Sequence, residues 1–382
     1  MTTRVPVSPA VLEWAADRSG IDADDLYATF PWDEWLAGER QPTLNQLEKF
    51  ANTAGVPFGY LLLDEPPRIE LPIPDYREGF GGSVGEPSAS LFAVLNQSIR
   101  RQEWYRGYAQ ENLLPQVEVV GSADHMSAVD AAASMRESLN FEVRERFGNW
   151  NEVRRHLVRS FEELGGLTVV TSMVDNNTHR LLDPEEFRGF SLVDEYAPLV
   201  FVNARQTLNG QIFTLAHEFA HVWRGFSGIS SEDPAREPRS EVEQWCNAVA
   251  SEFLVPARDL RIRYPSVARF KLTEQLDRLA QVYRCGTLVV LQAIRRDGLA
   301  RFDDFDAVYA EEVRRLESLA PSTEEGRGNF YANQPYRIGE RFSRAVISDA
   351  LEGRTQLSEA MRLMSFRSLS VFDKYAKNLG IS

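Results

Sequence analysis

Apolar residues recur at helical spacing along most of the chain, and short β-branched runs interrupt that pattern near its middle. Near the N-terminal end, the apolar spacing and the turn residues predict short helices over 9–19, 23–30, 32–37, 44–54 and 57–63. In the middle, strands are predicted over 166–171, 188–193 and 198–203. Beyond residue 256 the periodicity is helical again. The pattern therefore predicts an α+β fold that is predominantly helical and contains one small sheet.

Changes in composition along the chain predict its domains. A first helical domain is predicted over residues 1–66, and a proline- and glycine-rich linker over 67–88. The central domain is predicted over 89–320, and a flexible break follows over 321–328. A helical C-terminal domain is predicted over 327–382, with a helix and then a helix pair.

One predicted helix, around residues 212–223, has little polar surface apart from His217, Glu218 and His221. Side chains four residues apart lie on one helical face, so His217 and His221 can both reach a tetrahedral zinc ion. Glu218 is placed beside that ion, where it can accept a proton from activated water and pass it to a leaving amine. The alternative is a chance pairing on an ordinary core helix. The chain has only five histidines, which favours metal binding.

A third ligand is expected from the next helix, which is predicted to begin near Ser240 and to end at Pro256. Its available carboxylates are Glu241, Glu243 and Glu252. Glu243 shares the apolar face and is predicted to point inward, whereas Glu241 is expected to be an exposed first-turn residue. No further ligand candidate is evident near Glu243, which favours an open site that water can enter.

Two blocks of sequence, 213–221 and 243–256, resemble in order and spacing the active-site blocks of the ImmA/IrrE family of zinc metallopeptidases. In that family the glutamate that opens the second block is the third zinc ligand. The resemblance therefore implies a zincin-like domain in which His217, His221 and Glu243 bind Zn²⁺ and Glu218 is catalytic. Cys246 stands where the family more often has alanine, a difference expected to affect packing only.

The first domain resembles a helix-turn-helix domain of the XRE type, with residues 35–43 at that family's glycine–proline junction. The chain between Leu26 and Gly38 is shorter than its second and third helices need. Residues 1–63 hold four basic and nine acidic side chains, whereas a duplex reader needs a basic face. A protein-docking helical module is therefore the alternative to DNA binding.

Charge is distributed unevenly along the chain. The formal net charge is −14, which disfavours non-specific phosphate binding by the whole molecule. Residues 327–377 nevertheless hold nine basic and five acidic side chains. This end is a candidate surface for an acidic partner or nucleic acid, with a solvated helical face as the alternative.

Other features of the sequence concern its compartment. No run of eighteen apolar residues and no apolar signal core occurs, so a cytoplasmic protein without membrane contact is expected. The two cysteines, Cys246 and Cys285, lie in apolar helical contexts and are predicted to be buried free thiols.

The combination of these segments resembles the larger XRE-ImmA/IrrE regulators, which are antitoxin-like, and implies two functions. In the first, a regulatory zinc metalloendopeptidase cuts a specific protein partner, a repressor or toxin encoded nearby. It would also bind DNA through its N-terminal or C-terminal domain to regulate transcription. In the second, the protein is an antitoxin that neutralises its toxin by binding, and its zinc site is structural or conditional. A homodimer is left open by the sequence.

Overall fold

A computed structural model describes residues 4–19, 23–68, 70–77, 86–178, 180–231, 238–319 and 334–381. The predicted break at 321–328 and part of the predicted linker, 78–85, lie outside the described residues. The chain divides into two compact units. The smaller unit contains Met1–Pro72, Ser83–Gln97 and Met173–Leu182, and the larger contains Ile73–Gly82, Ser98–Ser172 and Asp183–Ser382. These units group residues by packing, and the predicted domain boundaries stay a prediction.

Short helices form the N-terminal part of the smaller unit: α1 (Pro9–Ser19), α2 (Ala23–Thr29), α3 (Trp32–Leu36) and α4 (Leu44–Ala54). A single 3₁₀ turn, Phe58–Leu62, stands where a helix is predicted over 57–63. The N-terminus of α4 is fixed by a capping box, in which Thr43 and Gln46 each accept a hydrogen bond from the other's backbone N–H.

The third of these helices is part of a buried aromatic core. Trp32 and Trp35 of α3 are both buried, and their rings lie 5.2 Å and 6.3 Å from the ring of Phe50. With five residues, α3 makes fewer than two helical turns. Its exposed residues are Asp33 and Glu34, which are acidic, whereas a helix that reads a DNA groove needs basic or neutral polar side chains.

The larger unit contains a four-stranded sheet made of β1 (Leu167–Thr171), β2 (Gly189–Leu192), β3 (Leu199–Asn203) and β4 (Gly228–Ser230). The strand order is β1-β3-β2-β4; β1 and β3 are parallel, and the other two pairs are antiparallel. Every residue of the four strands is buried, as expected of strands that are covered on both faces. The three predicted strands are confirmed. The fourth was missed because its short Gly-Ile-Ser sequence has the composition of a turn.

The remaining helices follow in chain order: α5 (Ala89–Glu111), α6 (Ala128–Ser138), α7 (Trp150–Glu163), α8 (Leu208–Arg224), α9 (Glu241–Leu254), α10 (Ala257–Val267), α11 (Leu272–Tyr283), α12 (Thr287–Arg296), α13 (Phe305–Leu319), α14 (Glu340–Leu351), α15 (Leu357–Leu363) and α16 (Leu369–Asn378). A π-helical turn, Pro335–Gly339, leads directly into α14. The predicted α+β, predominantly helical fold with a small sheet is thus confirmed. No described helix is both long enough and apolar enough to cross a membrane.

Helix α8 lies in the middle of the main core of the larger unit. Its N-cap is Thr207, whose hydroxyl accepts a hydrogen bond from the backbone N–H of Gly210, and its C-cap is Gly225 in a left-handed conformation. Every residue from 211 to 223 is buried, and the ring of Phe219 packs 4.7 Å from that of Phe161. Burying each such aromatic side chain contributes about 1.5–3 kcal/mol, so this helix is held firmly. Its polar side chains must consequently find partners inside the protein.

Part of the predicted linker, residues 67–88, is built into the larger unit. The backbone N–H of Tyr76 donates to the carbonyl of Ile229 in β4, and that of Ile229 donates to the carbonyl of Pro74. Arg77 is buried and forms a bidentate ion pair with Asp75 at 2.8 Å. Residues 74–77 therefore act as a short extension of the sheet at β4, which their proline- and glycine-rich flanks did not indicate.

Candidate metal centre

Helix α8 carries two histidines whose imidazole rings lie side by side. The Nε2 atoms of His217 and His221 are 3.0 Å apart, and both side chains are buried. The Nδ1 atom of His221 lies 3.1 Å from the carbonyl oxygen of Phe226. Because a carbonyl only accepts hydrogen bonds, Nδ1 carries a hydrogen, and in the neutral ring Nε2 then carries the lone pair. His221 is therefore held in the tautomer that a metal ligand requires.

Glu243 of α9 completes this arrangement from the opposite side. Its Oε1 is 3.0 Å from Nε2 of His221, and its Oε2 is 3.3 Å from Nε2 of His217. Burial acts to raise the pKa of Glu243, but the two imidazoles outweigh it and hold that pKa well below its usual range. Glu243 is 2% exposed, as its predicted inward orientation requires, while Glu241 is exposed.

The separations among these three side chains suit a zinc ion. Nitrogen and oxygen ligands at about 2.0–2.1 Å from a tetrahedral zinc are roughly 3.3 Å from one another. Each of the three measured separations lies between 3.0 and 3.3 Å. The donor set of two imidazoles and one carboxylate also matches the ligand types that zinc prefers. The structure thus brings His217, His221 and Glu243 together in a geometry that fits the metal.

Glu218, the proposed catalytic residue, is fully buried where α8 crosses the sheet. A Cβ atom on Gly189 of β2 would lie 2.7 Å from Oε1 of Glu218 and 2.9 Å from the carbonyl oxygen of Phe201. Only glycine allows the strand and the carboxylate to approach this closely. On the neighbouring strand, Oγ of Ser230 lies 3.2 Å from Nε2 of His217. Strands β2 and β4 therefore form the floor of the site.

Cys246 is the residue whose role the sequence analysis missed. Its sulfur and the ligand nitrogens of His217 and His221 all lie within 4.8 Å of one another, and all three residues are buried. The prediction that no further ligand candidate lies near Glu243 is therefore wrong. The spacing contained the signal, because Cys246 follows Glu243 by three residues and so shares its helical face. Both cysteines are buried and neither forms a disulfide, as predicted, and burial raises the pKa of Cys285 to about 12.

Tyr76 reaches the centre from the segment that was predicted to be a linker. Its ring stacks on the imidazole of His221, with centroids 6.1 Å apart and planes 19° apart. A Cβ atom on Gly228 would come within 2.5 Å of the tyrosine ring, so the ring lies directly on the β4 backbone. Burial, followed by the nearby Glu243 and Cys246, raises the pKa of Tyr76. No local sequence pattern indicates this position.

Glu252, the third carboxylate considered on α9, has a structural role. Both of its oxygens accept the backbone N–H of Ala257 at 3.1 Å, and Oε2 pairs with Arg296 at 3.2 Å. It therefore caps the start of α10 and is satisfied away from the two imidazoles.

Comparison with protein families gives two matches. Residues 161–295 match the family model of the M78 peptidases, described as IrrE N-terminal-like domain. A second model, described as Domain of unknown function (DUF8813), matches residues 338–378. No curated protein gives a significant match to the chain. The first match spans all four strands and helices α8 and α9, so the segment that holds the candidate metal centre is similar to a peptidase domain.

Proposed function

We propose that this protein is a zinc-dependent metalloendopeptidase of the HExxH type that acts on one specific protein partner as a regulator. The observation that carries the proposal is the convergence of His217, His221 and Glu243 within 3.3 Å of one another, with Glu218 on the same turn of α8. When bound, a zinc ion supplies Lewis-acid polarisation of a peptide carbonyl and lowers the pKa of water.

The chain's own residues have distinct roles in this proposal. His217, His221 and Glu243 hold the metal, and the Phe226 carbonyl fixes the ring orientation of His221. Glu218 accepts the proton of the attacking water and delivers it to the leaving amine. Its position against Gly189 of β2 leaves it little freedom to move, which preorganises this proton transfer.

A specific partner is the expected substrate, and the protein encoded by the neighbouring gene is the first candidate. We would co-express it with the wild-type chain and with Glu218→Gln, and measure the intact masses of both proteins. Cleavage of the neighbour by the wild type alone supports the proposal. An uncut neighbour that co-purifies equally with both forms supports the alternative, an antitoxin that neutralises a toxin by binding.

One observation favours that alternative. Cys246 lies close enough to the imidazoles to be considered as a further ligand, and zinc sites with four protein ligands are structural. Both functions use the metal, so the zinc content of the purified protein does not distinguish them by itself. The cleavage result is needed as well.

Regulation through DNA binding is the part of the proposal with the least support. The exposed residues of helix α3, Asp33 and Glu34, are acidic. Several basic residues of the C-terminal segment are already paired with carboxylates nearby: Arg344 with Glu340, Arg354 with Asp349 and Arg362 with Glu359. Their charge is thus partly neutralised before any phosphate arrives. A protein partner is therefore favoured, and a gel-shift assay with the upstream DNA of its own gene, as a function of salt, would test the DNA-binding proposal.

A further inference from the structure

We propose, resting on the metal centre of the proposed function, that Cys246 is a fourth protein ligand of the ion. The sulfur would occupy the coordination position that an open peptidase centre leaves to water. The centre would then have low activity, and it would become fully active only when the sulfur leaves the ion. This role differs from that of the other buried cysteine, Cys285, which lies outside the cluster.

The geometry supports ligation from two directions. His217 and His221 approach from α8, while Glu243 and Cys246 approach from α9, where their spacing of three residues places them on one face. All four side chains are at most 2% exposed. Two helices thus bring four potential donors to the same pair of imidazole nitrogens: the sulfur of Cys246 lies within 4.8 Å of both, and Glu243 oxygens lie 3.0 and 3.3 Å from them. Closed structural zinc sites likewise have four protein donors.

The distances require only a small adjustment. The sulfur and the two imidazole nitrogens lie within 4.8 Å of one another, whereas nitrogen and sulfur ligands of a tetrahedral zinc are about 3.5 Å apart. The difference, about 1 Å, is within the reach of a modest rotation about the Cα–Cβ bond of Cys246. Binding would form a metal–sulfur bond and break the S–H bond, and the thiol proton would pass to solvent.

Cobalt provides a direct test, because a thiolate bound to Co²⁺ gives an intense near-ultraviolet charge-transfer band that nitrogen and oxygen ligands do not give. The apo form of the full chain would be titrated with Co²⁺ alone, in the wild type and in Cys246→Ala, Cys246→Ser and Cys285→Ala. We expect one cobalt per chain in all four proteins. The band should be present in the wild type and in Cys285→Ala and absent from both Cys246 variants.

A competition titration with a zinc chelator adds a quantitative readout. Loss of an outer partner of a metal ligand typically weakens binding by about 10–100-fold, so loss of a direct ligand should weaken it by at least about 100-fold. We expect this loss for both Cys246 variants and less than a threefold change for Cys285→Ala. Far-ultraviolet circular dichroism would establish that each variant is folded, and the serine variant preserves the shape of the side chain.

The outcomes separate this inference from the proposed function. One cobalt per chain without a charge-transfer band in the wild type would overturn ligation by Cys246 and leave the metal centre standing. Failure of the folded wild type to bind either metal would overturn both. If ligation holds, Cys246→Ala should also cleave the partner faster than the wild type does, because the fourth position is then open.

Discussion

Two buried glutamates in the larger unit, Glu243 and Glu162, have opposite acid–base behaviour. Glu243 faces two imidazoles, which hold its pKa low despite its burial. For Glu162 burial is the dominant effect and raises its pKa to about 7, although it accepts hydrogen bonds from the Thr168 hydroxyl at 2.5 Å and the Arg341 backbone at 3.2 Å. Burial alone therefore does not make a carboxylate a metal ligand; the groups that converge on it decide.

The groups that surround the two carboxylates also differ in what they contact. Around Glu162, every contact ties one part of the chain to another: the Arg341 guanidinium donates to the Glu162 carbonyl at 3.0 Å and to the Tyr105 hydroxyl at 2.8 Å. These bonds join the start of α14 to α7 and α5. Around Glu243, the neighbouring groups are potential ligands that point at a common centre. The contacts of Glu162 hold parts of the fold together, whereas the groups around Glu243 are arranged so that they could bind an ion.

The largest effect is expected for a substitution of Glu218, the proposed catalytic residue beside the metal centre. Glu218→Gln removes a general base that is not a ligand, so cleavage of the partner should slow by about 10²–10⁴-fold. Zinc content should stay at one ion per chain, because His217, His221 and Glu243 are intact. Cleavage would be followed by intact mass and zinc by elemental analysis of the same sample. Undiminished cleavage by a zinc-loaded variant would remove Glu218 from the mechanism.

Glu243→Gln should have the next largest effect, because it removes the carboxylate from the ligand set. Zinc affinity should fall by about 100-fold or more, since the loss of an outer partner alone already costs about 10–100-fold. In the wild type, zinc at 100 times its Kd should stabilise the fold by about 2.7 kcal/mol. The variant should show little of this stabilisation in thermal melts with and without zinc.

The matched control for that variant is Glu241→Gln, which makes the same chemical change two residues earlier on the exposed face of α9. It should retain the zinc affinity and the zinc-dependent stabilisation of the wild type. If Glu243→Gln and Glu241→Gln bind zinc equally well, Glu243 is not a ligand. Its difference from Glu162 would then not reflect metal binding.

The Glu162 side of the comparison predicts a pH effect. Because its pKa is raised from 4.5 to about 7 in the fold, the unfolded chain releases this proton first, and stability should fall as pH rises between these values. The full loss is on the order of 3 kcal/mol. The glutamine of Glu162→Gln cannot ionise. The denaturation midpoint of this variant should therefore lack the decrease with rising pH that the Glu162 carboxyl causes between pH 4.5 and 7.

The adjacent Glu163, which is exposed, provides the control for this measurement. Glu163→Gln should keep the pH dependence of the wild type. If Glu162→Gln and the wild type instead show parallel stability curves across that range, the Glu162 carboxyl is not held neutral by its burial.

The two regions also differ in how far the sequence predicted them. The shared face of His217 and His221 and the inward orientation of Glu243 follow from helical periodicity, which is local. Their convergence from two different helices was expected only from the family resemblance. Glu162 meets Arg341 across 179 residues, and no periodicity within one helix can indicate such a contact. Tyr76 reaches His221 only because residues 74–77 pair with β4, itself a strand of three residues with turn composition.

Cys246 illustrates a different limit of sequence reasoning. Its helical face was predicted correctly, yet its thiol was assigned to packing, because buried cysteines usually behave as small apolar side chains. Only the distance of its sulfur from the two imidazoles changes that interpretation. Facing can thus be inferred from spacing, whereas the approach of two helices, which brings the donors within reach of one ion, is a property of the packed core.

The smallest effect is expected for Ser230→Ala, on the floor of the metal centre. The serine hydroxyl lies 3.2 Å from Nε2 of His217, the atom proposed to bind zinc. Since that lone pair can serve only one partner, a bound ion would displace the hydroxyl. Zinc affinity should then change by less than about tenfold, within the net value of one hydrogen bond. The equally buried Ser191 in β2 provides the control, Ser191→Ala. A loss of 100-fold specific to Ser230→Ala would instead make that hydroxyl a ligand, and His217 would no longer be the group that meets the ion at this point.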